Sequence, residues 1–217
     1  MKLLQAFGFV VISFKEGSIL DKERNAAISH IIESVIKGWE YRNELQKLVA
    51  DTPPTRTVLD QTADELACSG IKVLALDFDG VLAPHGADQP VAEVIEWLER
   101  ATSVFGQEQI FILSNRPFGP RINWFATHFP ALRFISGVRK KPFPDGIKKI
   151  EELTSVRSSS ILMVDDRLLT GCLSAMLAGA RPCYVRNPYI KLRSNLGKEL
   201  FFIVLRWLER FFVRFLP

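Results

Sequence analysis

From residue 71 onward, short apolar or β-branched runs alternate with stretches whose apolar positions recur at helical spacing. The runs are Ile71–Leu76, Gln109–Leu113, Leu132–Ser136, Ser160–Val164 and Pro182–Arg186. Between and after them, Pro90–Ser103, Pro120–His128, Asp145–Thr154 and Leu168–Leu177 read as helices. This alternation predicts an α/β fold of Rossmann-like type, a five-stranded parallel sheet with helices on both faces. Upstream, Ile28, Ile31, Ile32, Val35, Ile36 and Trp39 give Asp21–Ala50 a helical period, which Asp51–Thr55 breaks. Val58–Ser69 reads as a short helix stopped by Gly70. The expected organisation is an N-terminal apolar and helical extension (1–56), an α/β core (57–190) and a basic C-terminal helix (191–217).

Both termini are unusually apolar. Leu3–Phe14 spans 12 residues, too few to cross a bilayer. It follows Lys2, yet no small-x-small cleavage site comes after it, so a docked segment or interfacial anchor is expected rather than a secretion signal. In Leu200–Leu216, Arg206, Arg210 and Arg214 recur every four residues as a narrow cationic stripe among aromatic and aliphatic side chains. Each mid-helix arginine would cost roughly 2.5–3.5 kcal/mol in a bilayer, which argues against a span. The pattern fits a helix lying in the headgroup plane with its arginines at the waterline. Packing on the core, or on a second copy of the chain in a homo-oligomer, is the alternative.

Composition narrows the class. At 217 residues with 47% hydrophobic and 24% charged, the chain can build one core with extensions, and wholesale disorder is excluded. Cys68, Cys172 and Cys183 are odd in number and lack CxxC spacing, which argues against a disulfide framework or zinc ribbon and fits a reducing, cytoplasmic setting. His30, His85 and His128 have no ligand spacing. The net charge of +4 is uneven: residues 181–217 hold eight Lys/Arg against Glu199 and Glu209. That asymmetry fits a solvated basic face or, more sharply, a C-terminal contact with something anionic, and the partner expected is a phospholipid headgroup or membrane surface. Nucleic acid is not expected, because the basic residues sit on one hydrophobic helix and not along a polar groove.

The chemistry lies just after the apolar runs, where open α/β sheets bind ligands. Asp77-Phe78-Asp79-Gly80 follows the first run and Ser114-Asn115-Arg116 the second. Lys140-Lys141-Pro142 precedes the fourth run, and Asp165-Asp166-Arg167 follows it. A hydroxyl, a lysine and two acidic pairs on one sheet edge suit phosphoryl transfer. A hard cation takes carboxylate oxygens, one carboxylate attacks phosphorus, a second moves the proton, and hydroxyl and ammonium hold the phosphate oxygens.

In this order the motifs resemble the haloacid dehalogenase (HAD) superfamily: DFDGV at Asp77–Val81, ILS ending at Ser114, Lys141, and Asp165-Asp166. The resemblance implies that Asp77 is the nucleophile and Asp79 the general acid/base. It implies that Ser114 and Lys141, with Asn115 beside them, bind the phosphoryl group. Mg2+ would be held by Asp77, Asp166 and the main-chain carbonyl of Asp79, with Asp165 just behind. From about Asp51 to Arg210 the chain is similar to the YqeG-type branch, which includes phosphatidylglycerophosphate phosphatases. Two positions depart from that branch. Asp165 stands where it usually has Gly, and Gly171 where it usually has a second Asp.

The gaps from Asp79 to Ser114 and from Ser114 to Lys141 hold one helix and one strand each, so no cap domain and an open site are expected. Arg116, Arg121, Arg139, Lys140 and Arg167 are candidates to meet an anionic substrate, and Phe118, Trp124 and Phe143 to insert into lipid, although core packing suits Trp124 better. The expected function is Mg2+-dependent hydrolysis of phosphatidylglycerophosphate by a protein bound peripherally to the inner face of a membrane. A soluble or nucleotide phosphomonoesterase, or a silent HAD-like binding module, are the alternatives.

Overall fold

The computed structural model describes residues 31–115, 119–192 and 196–215. Leu3–Phe14, the start of the Asp21–Ala50 helix, Arg116 and Phe118 lie outside these. Five strands, β1 (Val73–Leu76), β2 (Ile110–Ile112), β3 (Arg133–Phe134), β4 (Ile161–Asp165) and β5 (Arg181–Tyr184), form one sheet in the order β3-β2-β1-β4-β5. All four pairings are parallel, with Leu74 opposite Ile110 and Leu162, and Leu76 opposite Ile112 and Val164. The chain winds outward from β1 to β3, then returns to β4 on the other side of β1. That reversal makes the carboxyl ends of β1 and β4 the topological switch point.

Side-chain alternation along the strands builds a core on each face. Leu74, Leu76, Ile110, Ile112, Leu162 and Val164 point to one side and pack with helices α3 (Ala92–Phe105) and α4 (Gly119–His128) through Val94, Leu98 and Phe125. Val73, Ala75, Phe111, Ile161 and Met163 point to the other and meet α5 (Asp145–Thr154) and α6 (Leu173–Ala178) through Ile147, Ile150 and Ala175. A third cluster (Leu45, Leu168, Leu169, Cys172, Tyr184 and Val213) joins α1 (Arg42–Asp51) to the C-terminal helix α7 (Leu196–Phe215). No cap is inserted between the strands of the described chain.

Two expected helices are remodelled. Val58–Ser69 is split into a 3-10 turn (Val58–Asp60) and α2 (Ala63–Cys68). Gln61 is extended, and Thr62 starts the helix again by a reciprocal cap with Glu65. Leu168–Leu177 begins as a π-turn over Leu168–Cys172 before α6. Residues 31–40 are helical and reach α1 through a turn at Tyr41.

The larger difference concerns α7. Most of its arginine stripe does not face a waterline: Arg206 is only 3% exposed and Arg210 reaches the Tyr184 hydroxyl at 3.4 Å, while Arg214 is exposed. The apolar side turns outward instead, with Phe201 60% and Trp207 55% exposed.

Candidate active site

β1 delivers Asp77 to the switch point, and the chain then leaves the sheet through Gly80 at φ 86°. Only glycine suits this turn. Its backbone is left-handed, and a Cβ there would lie 2.3 Å from Asp166 Oδ2. β4 delivers Asp165 and Asp166. Asp77, Asp165 and Asp166 are buried, and each can place a carboxylate oxygen within 4.8 Å of the others. Hard divalent cations use such oxygen sets, so these residues fit Mg2+. The Asp79 carboxylate is not among them; the atom assigned to the metal by resemblance is its main-chain carbonyl.

Lys141 knits the carboxylates together. Its Nζ donates to Asp77 Oδ1 at 2.7 Å and to Asp165 Oδ2 at 2.6 Å, all three groups being buried. Burial alone would pull its pKa down, but Asp165 and Asp77 outweigh this and hold it above the ordinary lysine value. Asn115 fixes this loop. Its Oδ1 accepts from the Lys141 N–H at 2.8 Å and its Nδ2 donates to the Lys141 carbonyl at 3.3 Å. Ser114, Asn115 and Lys141 line a cleft of about 160 Å³ together with Ser136–Lys140.

Taking three acids out of water raises them all. Burial lifts Asp77 to about 7, against the pull of Lys141 and helped by Asp165. Burial also lifts Asp166 to about 6, against the pull of Arg206, and raises Asp165 against Lys141.

Three cations expected to meet substrate are already engaged. Arg121 is buried, donates to Asp79 Oδ1 at 3.0 Å and to the Ala87 carbonyl at 3.1 Å, and lies 3.5 Å over the Phe78 ring. It therefore holds Asp79 at the rim of the cluster. Arg167 donates through Nε to Glu209 at 2.9 Å. Arg139, exposed, pairs with Asp145 at 2.8 Å. Trp124 is half-buried, stacked on His128 and packed beside Phe125.

The residues not anticipated lie on α7. Arg206 Nε donates to Asp166 Oδ2 at 2.5 Å. Glu199, fully buried, accepts from the His85 N–H at 3.1 Å. Glu209 accepts from the Leu168 N–H at 3.0 Å. These three share one helix face and clamp the loops after β1 and β4, so α7 lies over an edge expected to be open. The signal in the sequence was the placement of both acids near the arginine stripe, which marks one polar face on an apolar helix; that this face is the inward one is shown by its buried partners.

A buried acid triad, a lysine bridging two of its members and Ser114 in the adjoining cleft, at the switch point of a parallel sheet, form the kind of residue set that phosphoryl transfer uses. The chain belongs to the family described as mitochondrial PGP phosphatase, whose model matches residues 49–190. It is thus a phosphatase, a phosphoric monoester hydrolase of HAD-like fold. Among solved structures it is similar to an uncharacterized protein from Corynebacterium glutamicum, with 20% identity and a TM-score of 0.42, covering 64% of this chain and 96% of that chain. No curated protein matches it.

Proposed function

We propose that this phosphatase hydrolyses the terminal phosphomonoester of phosphatidylglycerophosphate, through an aspartyl-phosphate on Asp77 and with Mg2+ as cofactor. The observation that carries the reading is the Lys141 bridge between Asp77 and Asp165. It keeps Asp77 next to a cation inside a buried acid cluster of a chain that belongs to the PGP phosphatase family. Asp77, Asp166 and the Asp79 carbonyl would hold the ion, with the Asp165 carboxylate against them. When bound there, Mg2+ supplies charge neutralisation for the phosphate oxygens.

An Asp77 oxygen attacks phosphorus as the P–O bond to the glycerol breaks, and Asp79 gives the leaving oxygen its proton. Asp79, ionised again, then takes a proton from water. The water oxygen attacks phosphorus, the bond to Asp77 breaks, and inorganic phosphate departs. Ser114 and Lys141 hold the equatorial oxygens in both steps.

The lipid would be met at the membrane that carries it. Ile32, Ile36, Trp39, Phe201, Trp207 and Phe211 leave an exposed apolar surface on two neighbouring helices. A lipid surface covers such a surface, and the lipid substrate makes it the fitting occupant. Among the described residues no helix is long and apolar enough to cross a membrane, so association is proposed to be peripheral.

The test is Mg2+-dependent phosphate release from phosphatidylglycerophosphate in mixed micelles, beside an aryl phosphate, with Asp77→Asn as the blank. Preference for the lipid supports the reading, and activity on the aryl phosphate alone discards the lipid. Flotation with anionic vesicles, lost in Trp207→Ser/Phe211→Ser, supports docking; a chain that ignores vesicles overturns it.

A further inference from the structure

We propose that Arg206 is an anion-binding residue of this site, donating to phosphate oxygens of the substrate from the N–H groups that Asp166 leaves free. The inference rests on the phosphatase reading but not on the identity of the lipid.

Arg206 is buried, and its guanidinium is only partly used. Nε donates to Asp166 Oδ2; Nη2 lies equally near that oxygen, at 2.5 Å, but off the hydrogen-bond line. Nη1 and Nη2 have no hydrogen-bond partner among the described residues. A guanidinium carries five donors in a fixed fork, and leaving several unfilled away from water is costly unless a ligand completes them. The fork matches phosphate oxygens.

Its position is that of a site residue. A Cβ on Gly80 would fall 2.8 Å from Nη2, so the guanidinium lies over the turn that follows Asp77 and Asp79. Glu199 and Glu209 anchor the helix on either side of it, one to His85 and one to Leu168, so the cation is presented from a fixed rod. Charge favours an anion as well. Asp77, Asp165 and Asp166 face Lys141 and Arg206, and a divalent cation added to these groups leaves a positive excess for a phosphate to balance. Arg206 lies beyond residue 190, where the family match ends. The contribution comes from this chain's own C-terminal helix.

Inorganic phosphate is the probe, titrated with Mg2+ into the full chain by calorimetry, for wild type, Arg206→Lys and Arg206→Gln. Mn2+ affinity is read separately by electron paramagnetic resonance. Arg206→Gln is expected to weaken phosphate binding and raise KM by about 10–100-fold, with a smaller change in kcat. Lysine should restore part of the loss, and Mn2+ affinity should stay within about threefold of wild type. A KM rise for both glycerol 3-phosphate and phosphatidylglycerophosphate places the contact on the transferred phosphoryl group. A rise for the lipid alone places it on the neighbouring phosphodiester. Unchanged phosphate affinity with altered Mn2+ affinity overturns the proposal and leaves Arg206 as a neutraliser of Asp166. If Arg206→Gln does not fold, wild-type arginine side-chain NMR decides, the signal being assigned by its loss in Arg206→Lys. Phosphate must shift that signal, and a static one overturns the proposal. Because phosphate binding is read without turnover, failure on the lipid and failure of this inference are distinguishable.

Discussion

The Asp165 carboxylate fills the space above Gly171. A Cβ built at position 171 would fall 1.8 Å from Asp165 Oδ2 and 2.1 Å from its Cγ. The two positions at which the chain departs from the resembled branch therefore share one space. From there the carboxylate reaches Lys141, at 2.6 Å.

The shared space predicts strong coupling. Gly171→Ala should cost about 1–3 kcal/mol by overpacking against Asp165, although alanine is the better helix former. Asp165→Gly alone should loosen Lys141 and lower kcat/KM. The double variant Asp165→Gly/Gly171→Asp should recover most of both losses. Melting and kinetics across the cycle check this; additive losses would mean that the two positions do not share the space.

Lys141 and Asp77 should separate stability from catalysis. Lys141→Met leaves two buried carboxylates without their cation and should destabilise the chain by about 3–5 kcal/mol. Asp77→Asn removes one of those charges, so it should fold at least as well as wild type while turnover falls at least about 10³-fold. Denaturant melts beside phosphate release read both effects. Residual turnover by Asp77→Asn would remove it as the nucleophile.

The sheet and its chemistry were legible because β1, β2 and β4 are short apolar runs followed closely by their candidate functional residues. The expected helix Asp145–Thr154 matches α5 residue for residue. What was not legible is which way a polar minority points. Periodicity separates two faces of α7, but only Asp166, Tyr184 and the Leu168 N–H, all distant in sequence, show that the arginine and glutamate face is the buried one. Arg121 escaped for a similar reason. Its partners Asp79 and Ala87 are 42 and 34 residues away, and a lone arginine near a motif reads as a substrate ligand.

That position makes Arg121 a test of how Asp79 is held. Arg121→Met should lower kcat by about 10²-fold, the scale of general acid–base catalysis, and leave KM for the phosphomonoester nearly unchanged. Arg121→Lys should recover part of the rate. A rise in KM with unchanged kcat would instead return Arg121 to the substrate.

Without Mg2+, the acid cluster should make the fold prefer low pH. Asp77 rises to about 7 and Asp166 to about 6 because burial disfavours their ionised forms. A carboxyl whose pKa is higher folded than unfolded binds its proton more tightly in the native state. It imposes no penalty below the ordinary value near 4, and its penalty grows as pH rises through the folded value. Lys141, shifted upward, stays protonated across this window and adds no slope. The metal-free chain should therefore melt lower at pH 8 than at pH 5. Between these two pH values the loss should approach about 3 kcal/mol for Asp77 alone as an upper limit. Each kcal/mol should appear as about 2–4 °C. Mg2+ binds the ionised carboxylates, so its stabilisation should be small at pH 5 and large at pH 8. Melts at the two pH values, in chelator and in Mg2+, measure both signs. A flat profile in chelator would mean that Lys141 and Arg206 balance the ionised cluster without help from a metal.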